Sequence, residues 1–175
     1  VAAFETLARG ALTAPARLPA LVTMLARAAG TPFGLVAGQA WESEPNVALQ
    51  HYHRAKTGAM FVASAMAGAV AAGRDPEPWR AVGAYLGEAY QVADDLLDAH
   101  EGPDVAGKPT RQDARLGRPS AVLEHGTGGA IAQLRALVGH AAAAVPACPG
   151  AEALRLMVVA MAERLVPAEL RRTAA

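Results

Sequence analysis

One pattern constrains this chain before any motif is considered. Apolar residues recur at helical spacing along nearly its whole length, and the pattern breaks at proline and glycine. No convincing two-residue alternation and no β-hairpin signal compete with it, so the expected class is all-α. Hydrophobic residues make up 53% of the 175 residues but aromatics only 5%, and alanine, the strongest helix former, is abundant. That length can bury a core as one domain, and residues 1–175 read as a single domain.

The breaks divide the chain. Val1–Ala11 reads as a first helix, ended by Thr13-Ala14-Pro15. A second runs from about Leu18 to Ala29, with Gly30 as its stop. Pro32 opens a third, through Gly38-Gln39 to about Ser43, and Pro45 ends it. Asn46 can cap a long helix to about Ala72, closed by Gly73. Asp75 then caps a helix with Pro76 in its first turn, whose apolar pattern runs from Val82 to Asp98. Residues 99–119 form one long irregular segment, carrying Lys108, Arg111, Arg115 and Arg118 against Glu101, Asp104 and Asp113. Loops of that length in a compact domain are commonly functional or disordered. Helices resume near Ser120–Glu124, Gly129–Ala144 and Gly150–Leu165, before a basic tail.

Several function classes fall away. Formal net charge is zero, so general nucleic-acid binding is not expected and any basic site must be local. The single cysteine, Cys148, excludes an internal disulfide and a cysteine-cluster metal site, and a reducing, cytoplasmic setting is expected. No signal peptide is visible, and no apolar run reaches about 18 residues, so no membrane insertion is expected. The chain opens at Val1 rather than Met, already in helical pattern, which fits a fragment of a longer enzyme.

Asp94-Asp95-Leu96-Leu97-Asp98 closes one of these helical patterns. Asp94 and Asp98 share a helix face at four-residue spacing, with Asp95 beside them. Like charges so placed destabilise a helix by roughly 0.2–0.5 kcal/mol. Gly102 and Pro103 follow, so the acids also lie near the negative end of the helix dipole. Three acids held against both effects suggest a hard, oxygen-binding cation such as Mg²⁺, shared with phosphate. A solvated helix end would read the same way.

Other groups become informative together. Gln91 lies three residues before Asp94 and four before Asp95, within reach of the same face. Tyr52-His53-Arg54-Ala55-Lys56-Thr57-Gly58 puts a lysine where a helix turns small and apolar; the ammonium either snorkels to solvent or enters a polar cavity. Gly107-Lys108-Pro109 and Gly117-Arg118-Pro119-Ser120 present cations on turns, and Arg forks suit phosphate. Each group alone could be an ordinary surface feature. Carboxylates and cations combined suggest a metal-bridged diphosphate, whose departure needs its growing charge neutralised.

On these residues the chain resembles the trans-polyprenyl diphosphate synthases. The stretches that carry the likeness are Gly38-Gln39, His53–Gly58, Leu86–Asp98 with its second Asp-rich motif, Gly107-Lys108 and Asp113–Pro119. Within the family it looks like the bacterial geranylgeranyl diphosphate synthases of carotenoid or photopigment pathways, and the likeness covers nearly the whole chain. It implies an all-α isoprenoid-synthase bundle around a central cavity, here lacking its N-terminal helices: the C-terminal portion of a synthase. It implies Mg²⁺ on Asp94, Asp95 and Asp98, bound mainly to the allylic diphosphate, and contact of Lys56 with that diphosphate. Thr57 and Gln91 would stabilise the allylic cation by carbonyl and amide dipoles. Lys108 would bind diphosphate, as would Arg118, at a position where family members often carry lysine. The implied reaction is ionisation of an allylic diphosphate, attack by isopentenyl diphosphate and proton loss, in a homodimer that packs through helices around Val1–Ala29.

The family's first Asp-rich motif, and most residues that bind isopentenyl diphosphate, are not found here, so an incomplete site is expected of this chain alone. A noncatalytic subunit partnering a complete synthase is the alternative, although such a subunit need not keep Asp94, Asp95, Asp98, Lys56 and Lys108 together. A terpene cyclase fits the Lys-Thr and Gly-Lys elements less well.

Overall fold

Proline and glycine set the helix boundaries in the computed structural model, which describes residues 1–41, 44, 52, 54–100 and 120–165. No strand occurs among the described residues, so the all-α expectation is met. The segment 101–119, with Lys108, Asp113 and Arg118, lies outside them, as do His53 and the Asn46 cap. The described chain forms two compact units, Val1–Gly87 and Glu88–Ala175.

The first unit opens with α1 (Ala2–Gly10), which buries no residue, and continues through short 3₁₀ turns at Ala11–Thr13 and Pro15–Arg17. α2 (Leu18–Ala29) has proline in its first turn and Gly30 as its C-cap, at the boundaries the sequence predicts. α3 (Leu35–Trp41) starts later than Pro32, because the turn before it folds back on α2: a Cβ at Gly34 would collide with the carbonyl oxygens of Arg27 and Ala28.

A π-helical turn, Arg54–Gly58, leads into α4 (Ala59–Ala71). α2 packs along α4. Arg17 caps the end of α4 by donating from Nη1 to the Ala71 carbonyl, a cation where the helix dipole is negative. Gly73, at φ 70°, closes that end: its N–H reaches Val70 O and the Arg74 N–H reaches Ala69 O. Asp75 accepts from the Glu77 N–H, a 3₁₀ turn Glu77–Trp79 follows, and α5 (Arg80–His100) begins. Hydrogen bonds from the Arg80 guanidinium hold the exposed Glu77 carboxyl below its ordinary range. Leu21, Ala28, Ala37, Ala55, Met66, Ala69 and Val82 are this unit's buried apolar residues among those described.

The second unit begins inside α5, which runs two residues past Asp98 to His100. α6 (Ala121–Ala143) is interrupted at Gly126, whose φ of 69° and ψ of 170° are not helical and are adopted cheaply only by glycine. The two helices expected near Ser120–Glu124 and Gly129–Ala144 lie on either side of this break. α7 (Ala151–Leu165) packs on α6. Leu96 and Leu134 are fully buried, among Ala89, Val92, Ala93, Leu137 and Ala141.

Candidate active site

Lys56 and Thr57 lie on the π turn. A π turn takes in an extra residue relative to an α turn, widens the helix, and commonly marks functional positions. Both side chains are half-buried. Lys56 Nζ donates to Tyr52 Oη at 2.6 Å and sits 5.0 Å from that ring's centroid. The structure shows neither of the two expected fates as such but a half-buried ammonium held on a neighbouring phenol.

Glycines let other backbones approach this turn. A Cβ at Gly38 of α3 would strike the backbone N and Cα of Lys56. A Cβ at Gly87 of α5 would lie 3.0 Å from Gly58 Cα, and one at Gly83 would meet Val62 Cα and Phe61 O. The Gly38-Gln39 motif thus has a packing role, and the small stretch after Gly58 serves close helix contact.

The acids occupy the later turns of α5. Asp94 is half-buried, while Asp95 and Asp98 are 5% and 7% exposed. Asp95 Oδ1 accepts from Gln91 Nε2 at 3.1 Å, and Oδ2 accepts from the Ala121 N–H at 2.8 Å. The second bond reaches the first turn of α6, where unpaired N–H groups favour an anion. Ser120, the α6 N-cap, accepts from the Leu123 N–H at 3.3 Å.

Among the described residues no group of three or more His, Cys, Asp or Glu side chains is arranged to hold a metal ion. The donor set still fits Mg²⁺, which takes hard oxygens and is often held by one or two carboxylates plus substrate phosphate. Asp94 and Asp98 can supply two carboxylates from one face of α5, while Asp95 bonds to Gln91 and α6.

Of the predicted site residues, Lys56 and Thr57 adjoin in the first unit, and Gln91 and Asp95 bond in the second. Lys108 and Arg118 lie outside the described residues. Tyr52 and Ser120 add contacts that the motifs did not assign. Tyr52 carries a signal, its four-residue spacing from Lys56; the Asp95–Ala121 bond spans 26 residues and has none.

A family model for polyprenyl synthetases matches residues 1–150. The chain belongs to the polyprenyl synthetase family. Within the family, the geranylgeranyl diphosphate synthase of Cereibacter sphaeroides is 50% identical over 170 residues, covering 97% of this chain and 59% of the relative. That of Rhodobacter capsulatus is 43% identical over 171 residues, with the same coverages. The chain therefore spans 59% of the length of these two curated relatives. A geranyltransferase from Helicobacter pylori, crystallised with magnesium and isoprenyl diphosphate, superposes with a TM-score of 0.73 at 26% identity, covering 92% of this chain and 56% of that one. An apo FPP/GFPP synthase from Zymomonas mobilis gives 0.70 at 28% identity, covering 93% and 56%. Among the described residues, no helix is long and apolar enough to cross a membrane.

Proposed function

We propose that the protein to which this chain contributes is a prenyltransferase that condenses isopentenyl diphosphate with an allylic diphosphate, with geranylgeranyl diphosphate as product. The observation that carries the reading is the acidic face of α5, Asp94 and Asp98, in a chain half identical to a geranylgeranyl diphosphate synthase. Mg²⁺, when bound, supplies charge neutralisation on the departing diphosphate. Asp94 and Asp98 are the residues that would hold it.

The allylic C–O bond breaks and its electron pair leaves with diphosphate. The isopentenyl double bond then forms the new C–C bond, and a proton is lost, with the released diphosphate as base. Lys56 is proposed to bind diphosphate oxygens, its ammonium pre-set by Tyr52. The Thr57 carbonyl and the Gln91 amide dipole are proposed to stabilise the allylic cation. Lys108 and Arg118 are proposed as further diphosphate contacts. The partners are the two diphosphates and a second copy of the chain.

The test is transfer of labelled isopentenyl diphosphate to geranyl or farnesyl diphosphate in Mg²⁺, with product length read by chromatography. A C20 product is expected. Asp94→Ala and Lys56→Ala should each lower turnover by about 10²–10³-fold, the usual cost of removing a group that stabilises developing charge. Helix content by circular dichroism should be unchanged. Near-normal turnover in either variant would overturn that residue's role, and absence of any transfer by the parent protein would overturn the function.

A further inference from the structure

We propose that Asp95 is a positioning residue that latches the start of α6 to α5 and orients Gln91, and that it does not ligate the metal. The inference rests on the proposed reading of Asp94 and Asp98 as Mg²⁺ ligands. Three adjacent acids in one motif suggest a common role, and the contacts of Asp95 give it a different one. Asp95 is 5% exposed, and both of its oxygens accept from protein donors. Oδ2 takes the Ala121 N–H, the first of α6, so the carboxylate is compensated by a helix N-terminus as well as by a hydrogen bond. Ser120 takes the Leu123 N–H of the same turn. Two of that turn's unpaired donors are thus satisfied by side chains, one of them from α5. Oδ1 takes Gln91 Nε2, which sets the Gln91 amide with its nitrogen toward Asp95. A residue acting this way influences the reaction through Gln91 and through the placement of α6.

Charge and shape make separable demands on this residue. Asparagine at 95 keeps an oxygen for the Ala121 N–H but is a poor Mg²⁺ ligand, and its nitrogen faces Gln91, so the glutamine amide must turn over. A latch should tolerate that change in structure and metal affinity while kcat falls. A ligand should not.

The experiment compares Asp95→Asn, Asp95→Ala and Asp94→Asn in the full chain. It uses hydrogen–deuterium exchange at amides 121–124, Mn²⁺ affinity by electron paramagnetic resonance with inorganic diphosphate present, and steady-state kinetics. Asp95→Ala should accelerate exchange at 121–124 by about tenfold or more, since a hydrogen bond to a charged acceptor is lost. Asp95→Asn should restore protection and keep Mn²⁺ affinity and KM within roughly threefold of the parent, a change too small for the loss of a charged contact, while lowering kcat. Asp94→Asn should weaken Mn²⁺ by about tenfold or more with protection intact. The latch is overturned if Asp95→Asn weakens Mn²⁺ as Asp94→Asn does, or if Asp95→Ala leaves exchange at 121–124 unchanged. An Asp94→Asn variant with unaltered Mn²⁺ affinity would instead overturn the metal reading, leaving the latch to stand on its exchange result.

Discussion

Tyr52 holds the Lys56 ammonium by a 2.6 Å hydrogen bond to its hydroxyl. A flexible lysine loses rotamer freedom when it binds an anion, and a side chain already held in place loses less. Tyr52→Phe keeps the ring and removes the hydroxyl. The lost bond is worth about 0.5–1.5 kcal/mol, so kcat/KM for the allylic substrate should fall roughly two- to tenfold, with helix content unchanged. The same substitution in a Lys56→Ala background should add nothing, because the residue it positions has gone. An additive double variant, or a Tyr52→Phe enzyme with parental kinetics, would show that the phenol does not act through the lysine.

At the scale of elements, glycine determines how closely helices meet around the π turn. A Cβ at Gly83 would meet Val62 Cα and Phe61 O, both main-chain atoms that cannot swing aside, so Gly83→Ala should destabilise the fold by about 1–3 kcal/mol. Gly68 lies on an exposed part of α4, and beyond its chain neighbours and the helix's own backbone no described atom lies within 4 Å of where its Cβ would be. Gly68→Ala should therefore stabilise by about 0.5–1 kcal/mol through helix propensity alone. Urea or thermal unfolding of the two variants gives the signs; if both move the same way, packing does not decide these positions. Much of this architecture was legible in the chain. Leu18–Ala29 was bounded correctly because Pro19 and Gly30 act locally. The π turn was not legible, because one extra residue in a turn barely disturbs a periodicity read over several turns. The break at Gly126 was legible too, since the helical pattern stops near Glu124 and resumes near Gly129. The bond from the Ala121 N–H to Asp95 spans a distance along the chain that local spacing cannot reach.

At the scale of the whole chain, 16 basic and 16 acidic residues leave no net charge, so the chain's net charge neither attracts nor repels a diphosphate. The sign of its binding is set locally, within a Debye length of about 8 Å at physiological salt. The acids proposed as Mg²⁺ ligands then make opposite contributions under two conditions. With the divalent ion chelated, Asp94 and Asp98 repel an incoming diphosphate; with the ion present they hold the charge that attracts it. Replacing both by asparagine removes the repulsion and the metal affinity together. In EDTA, the Asp94→Asn/Asp98→Asn double variant should bind inorganic diphosphate at least as tightly as the parent. In excess Mg²⁺ it should bind more weakly by about tenfold or more, equivalent to roughly 1.4 kcal/mol. Titration calorimetry under both conditions gives four affinities, and the crossing of their order is the diagnostic. If the ranking of the two proteins is the same with and without Mg²⁺, these carboxylates do not act through a cation. The acidic face of α5 would then have to be explained by packing and hydrogen bonding alone, as Asp95 already is by Gln91 and the first turn of α6.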